Sequence, residues 1–168
     1  MKSLARMILA ASTIFVAPIA HASETAFLQS LEGTWKGNGT VKVRTDTSPV
    51  KVACNFTSDA SDASLALDGK CRGLIVVSRS IEANLNAKGG RYSGSYVGAG
   101  TGTASLSGNR RGNAIDLGIR WAKEVNGDRN ARLTVEKVGA DGMTLTTVDV
   151  DPKTGKNVIT SRINLRRV

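Results

Sequence analysis

From Trp35 onward the chain alternates between apolar and polar positions. Trp35, Gly37, Gly39, Val41 and Val43 share one side of an extended run, and Lys36, Asn38, Thr40, Lys42 and Arg44 share the other. A period of two with one dry and one wet side predicts a half-buried strand. The pattern recurs in Val50, Val52, Cys54 and Phe56, opposite Lys51, Ala53, Asn55 and Thr57. It recurs again in Leu65, Leu67, Gly69 and Cys71, opposite Ala66, Asp68 and Lys70, with the polar stretch Ser61–Ser64 between the two runs. Pairing them as a hairpin sets Cys54 opposite Cys71, Phe56 opposite Gly69 and Ser58 opposite Leu67. Both cysteines then lie on the dry face, close enough to bond across the strands.

Similar runs fill the remainder. Leu74 to Val77 continues as Ile81, Ala83 and Leu85, and Tyr92 and Tyr96 share a face of Arg91–Val97. Thr101–Ser107 follows, then Ile115, Leu117, Ile119 and Trp121 on one face, then Leu133 and Val135, then Met143–Val150. The last run places Ile159, Ile163 and Leu165 on one face and Arg162 and Arg166 on the other. Turn signals separate the runs at Lys88-Gly89-Gly90, Asn126-Gly127-Asp128, Gly139–Gly142 and Asp151–Gly155. Glu24–Leu31, with Phe27, Leu28 and Leu31 clustered, is the helical candidate. The sum is an all-β domain over residues 23–168: a closed antiparallel up-and-down barrel of about 8–10 strands, with a short N-terminal helix capping one end. A β-sandwich is the competing architecture.

The segment Phe27-Leu28-Gln29-Ser30-Leu31-Glu32-Gly33-Thr34-Trp35 resembles the start of calycin-type barrels, the group of lipocalins, fatty-acid-binding proteins and nitrobindin-like proteins. There a short helix runs into G-x-W on the first strand, and the Trp closes one barrel end, often beneath an Arg from the last strand. The resemblance implies that Trp35 is such a plug, with Arg162, Arg166 or Arg167 above it. It covers these residues specifically and the remainder of the chain only in architecture. A nitrobindin-like haem site is not implied, because it needs a histidine, and the one histidine, His21, lies in the segment expected to be removed.

That segment is residues 1–22. Lys2 and Arg6 precede an apolar stretch from Met7 to Ala20, and Ala20-His21-Ala22 is an A-x-A cleavage site. This reads as a secretory signal peptide, and export to the periplasm, or secretion, follows. Two cysteines in an exported chain suggest one disulfide, Cys54–Cys71. Without histidine, the exported chain builds no Ser-His-Asp triad, His-ligated zinc site or His-ligated haem, so no metal or cofactor is expected. Lys36, Lys42, Arg44, Lys51 and Lys70 on the wet faces disfavour an outer-membrane barrel, whose exterior is apolar.

The whole chain carries a formal charge of +9, and +7 remains once Lys2 and Arg6 are lost. Arg110, Arg111, Lys153, Lys156, Arg166 and Arg167 form the candidate basic surface. In an exported protein the available acidic partners are anionic envelope surfaces and acidic small molecules; no aromatic-interleaved basic motif points to nucleic acid. The dry-face residues are mostly small or aliphatic, so a wide barrel of this composition is expected to be hollow. The expected function is binding of an amphipathic or anionic lipid-like molecule by a monomeric barrel. Trp35, Tyr92, Tyr96, Trp121, Arg120 and Arg162 are the candidate ligand contacts. An alternative is an envelope interaction or inhibitor protein working through the loops Asn109–Gly112 and Asn126–Asn130. Catalysis is not expected. The one route left to a hydrolase is a carboxylate pair among Asp59, Asp62, Asp68 and Asp116.

Overall fold

The structure is a computed structural model and describes residues 19–73 and 77–168. Helix α1 (Ile19–Ser30) precedes ten strands: β1 (Gly33–Val41), β2 (Val50–Ala60), β3 (Ser64–Gly73), β4 (Val77–Lys88), β5 (Arg91–Val97), β6 (Ala104–Arg111), β7 (Ala114–Val125), β8 (Asp128–Val138), β9 (Gly142–Val150) and β10 (Asn157–Arg167). Each strand pairs antiparallel with the next, and β1 pairs with β10, so the meander closes into a barrel rather than splitting into a sandwich. Residues 1–18 and 74–76 lie outside the described residues. The expected signal segment therefore falls mostly there, as does the start of the run expected from Leu74. The helix begins earlier than the expected Glu24, at Ile19.

The alternation seen in the sequence becomes an inside and an outside. In β7, Ile115, Leu117, Ile119 and Trp121 are all buried while Gly118 and Arg120 are exposed. The β2–β3 register sets Cys54 opposite Cys71, Phe56 opposite Gly69 and Ser58 opposite Leu67. Cys54 and Cys71 form a disulfide on the inner face. Gly69 leaves room for the Phe56 ring to lie across the neighbouring strand; a Cβ there would fall 2.1 Å from Phe56 Cδ1.

One strand departs from simple alternation. The β9–β10 register shifts between Ile159 and Ser161, so Thr160 is an extra residue opposite β9. Such a bulge inverts the faces on one side of it. Ile159, expected on the inner face with Ile163 and Leu165, is instead 47% exposed, and Thr160 is buried in its place.

Candidate functional site

The two ends of the barrel differ. At one end the helix closes the opening. The last turn is held by Leu31 N–H donating to Leu28 O (2.9 Å), and Gly33, at φ +128°, swings the chain into β1. Leu28, Leu31 and Trp35 are fully buried beneath the helix. The Trp35 indole Nε1–H donates to Leu31 O (3.1 Å) and to Ser58 Oγ (3.0 Å), and the Ser58 hydroxyl donates to Leu31 O (2.5 Å). The Arg167 guanidinium lies 4.4 Å above the Trp35 ring and donates to the helix-end carbonyls of Ser30 and Glu32. A second cation, Lys137 Nζ, sits 5.9 Å from the same ring. Burial, then the neighbouring Arg167 charge, pulls the Lys137 ammonium below its ordinary pKa. Of the three arginines that the resemblance offered, Arg167 is the one over the tryptophan.

The helix is also anchored at its side. Glu24 accepts from the Tyr92 hydroxyl and pairs with Arg110 (3.2 Å), whose guanidinium covers the Phe27 ring at 4.6 Å. Burial, then the Glu24 carboxylate, pushes the Tyr92 phenol well above its ordinary pKa, so it stays a donor.

The other end is open. Between the plug and this mouth lies a cavity of about 380 Å³. Its walls are mostly aliphatic, with Val52, Leu67, Ile81, Ala83, Leu145 and Ile163 among them. Gly37 and Gly39 of β1 let β10 approach closely, since a Cβ at either would run into the Asn164 or Arg162 carbonyl oxygen. Tyr96 and Trp121 meet edge to face near the mouth, with ring centroids 5.8 Å apart, and both line the cavity. Burial raises the Tyr96 phenol pKa. Polar groups gather at the same end: Lys42, Arg79, Asn126, Asp149 and Thr160 all contribute to the lining. The Thr160 hydroxyl donates to Asp149 Oδ2.

One side of the rim is tied together by hydrogen bonds. Lys42 N–H donates to Thr160 O (2.7 Å), and Thr45 N–H donates to Asn126 Oδ1 (3.2 Å). Asp151 Oδ1 accepts from Thr154 N–H and Thr154 Oγ1 (2.8 Å each) and from Lys153 N–H (3.2 Å). Hydrogen bonds, from Thr45 first and then Thr154, hold the Asp151 carboxyl below the usual aspartate range.

Of the six expected ligand contacts, the structure brings two, Tyr96 and Trp121, to the cavity. Trp35 and Tyr92 belong to the plugged end. Arg120 and Arg162 stand on the outer face, exposed, because they occupy the wet parity of β7 and β10. The expected basic surface is also redistributed. Arg110 and Arg167 are partly buried against α1 and Trp35. Arg111 pairs with Asp116 (2.7 Å) and Lys153 with Asp46 (3.2 Å). Lys156 and Arg166 remain exposed and form no ion pair among the described residues. Asp59, Asp62 and Asp68 are exposed, and Asp116 is held outside by Arg111 and Thr134, so none of these acids enters the cavity. The charged groups that do reach it, Lys42, Arg79 and Asp149, were not expected. A signal existed for two of them: Arg79 shares the dry parity of Ile81, Ala83 and Leu85, and Asp149 that of Met143 and Leu145.

Fold and site together define a class: a closed ten-stranded antiparallel barrel, plugged at one end by a helix and a Trp–Arg pair, with an apolar cavity opening at the other. No family model and no curated protein matches the sequence. Among solved structures, the crystal structure of Rv2717c from M. tuberculosis is similar, with a TM-score of 0.62 and 14% identity over 92% of this chain and 99% of that one. At that identity the likeness shows the fold alone.

Proposed function

We propose that the protein is an exported, non-enzymatic barrel that binds an amphipathic, lipid-like small molecule. The apolar part of the ligand lies among the aliphatic walls and its polar part at the mouth, where Lys42, Arg79, Asp149 and Thr160 offer partners. The observation that carries this reading is the cavity of about 380 Å³, closed below and open above. That volume falls within the roughly 300–1,000 Å³ of small-molecule sites. Filling it with hydrocarbon gains about 25 cal/mol for each Å² removed from water. The Cys54–Cys71 disulfide fits an oxidising extracytoplasmic compartment, and in this reading that compartment is the periplasm. The chain works there as a monomer in an anionic envelope environment.

Titration with the neutral fluorophore N-phenyl-1-naphthylamine tests the reading. Saturable enhancement of its emission is expected, with loss in Ala83→Trp, which places a large ring inside the cavity. Native mass spectrometry of protein purified without detergent from its own exported fraction should show a discrete added mass that organic extraction removes. A bare mass together with no saturable probe binding would overturn the proposal.

A further inference from the structure

Two buried polar atoms on residues that line the cavity have no partner among the described residues: Asp149 Oδ1 and Trp121 Nε1. Both residues line the cavity and both are deeply buried, Asp149 at 3% exposure and Trp121 at 4%. Thr160 satisfies the other Asp149 oxygen, and Asp149 forms no ion pair among the described residues. Burying a carboxylate oxygen and an indole N–H without partners is unfavourable, and a ligand that supplies the partners recovers that free energy on binding. The two sites belong to one stretch of wall. Ile119 of β7 pairs with Ala131 of β8, and Arg132 of β8 pairs with Val148 of β9. Trp121 and Asp149 therefore stand on either side of a single strand.

Building on the reading of the cavity as a lipid-like site, we infer that the ligand's polar end carries a donor for Asp149 Oδ1 and an acceptor for Trp121 Nε1, and bears no negative charge. An amino-alcohol head has this chemistry: the ammonium donates to Asp149, and the hydroxyl oxygen accepts from Trp121. A carboxylate head accepts from Trp121 but sets two anions together at Asp149. The net charge of the chain, +9, favours anions, so a preference for a cationic amphipath does not arise from bulk electrostatics.

The test is displacement of N-phenyl-1-naphthylamine by 2-aminododecan-1-ol and by dodecanoic acid, both below micelle formation and near neutral pH. The amino alcohol should bind at least about tenfold more tightly than the acid, the scale of one charge-assisted hydrogen bond. Asp149→Asn should bring the two ligands to within about threefold of each other, and Trp121→Phe should weaken the amino alcohol at least about threefold. Unchanged far-ultraviolet circular dichroism in both variants shows that the barrel has kept its shape. If the probe binds but the acid competes as well as the amino alcohol, the inference falls and the cavity reading stands. An unchanged preference in Asp149→Asn has the same consequence. If the probe and both chains fail to bind, the cavity reading falls with it.

Discussion

Gly33 performs two tasks that a side chain would undo. Its φ of +128° lies in a region that L-residues rarely adopt, and a Cβ there would fall 2.5 Å from Arg167 Nη1. The G-x-W pattern thus has a local cause: the glycine turns the chain out of the helix and clears space for the guanidinium that covers Trp35. Gly33→Ala is expected to destabilise the fold by about 1–3 kcal/mol, from backbone strain and displacement of Arg167. Urea unfolding should show a lower midpoint at unchanged slope; an unchanged midpoint would remove Gly33 from this role. Asp151 is a second residue whose environment has a measurable consequence. Its folded-state pKa lies below 3.8, so the charged form stabilises the folded protein above that pH. This contribution is lost as pH falls through the depressed value. The difference in melting temperature between the wild type and Asp151→Asn should therefore hold steady from about pH 7 to about pH 5 and shrink below about pH 4. A difference that grew on acidification would contradict the direction of the shift.

Among the elements, the β2–β3 hairpin shows how far alternation carries. Counting outward from the polar Ser61–Ser64 stretch places Cys54 opposite Cys71, and the strands pair in that register. The disulfide joins cysteines 17 positions apart in the sequence. Replacing both cysteines with alanine should cost about 2–4 kcal/mol, most of it from release of the unfolded chain. Calorimetry of the oxidised wild type against the double variant checks this. The β10 strand shows where alternation fails. The inserted residue at Thr160 reverses the faces, and no turn residue marks it. The same insertion puts a hydroxyl against Asp149 inside the barrel. The misplacement of Ile159 and the unexpected polar pair at the mouth therefore share one cause.

At the scale of the molecule, the barrel was legible because each strand separates a wet from a dry face. The helix and G-x-W likewise announced the plugged end. The cavity site was less legible. Arg120 and Arg162 stand beside inward-facing residues in sequence, but a one-residue step reverses direction in a strand. Arg79 and Asp149 carry the dry parity, yet a charge on a dry face makes sense only where the interior opens to solvent. Parity alone does not tell the mouth of a barrel from its middle. Ser58 shares the parity of Cys54 and Phe56, but its bond to Trp35 depends on where α1 ends, which strand patterning does not encode.

The pairing of β1 with β10 also bears on the order of events during folding. Every other pairing joins strands that are neighbours in the sequence, so nine hairpins form from local segments. The seam between Trp35 and Arg167 is different, because it joins β1 to the distant β10. Closing so long a loop is slow compared with forming hairpins. During that interval the first strand keeps an unpaired edge, and the Trp35 plug lacks its arginine. An emerging chain is therefore a nearly complete sheet whose final contact both seals the wall and locks the floor.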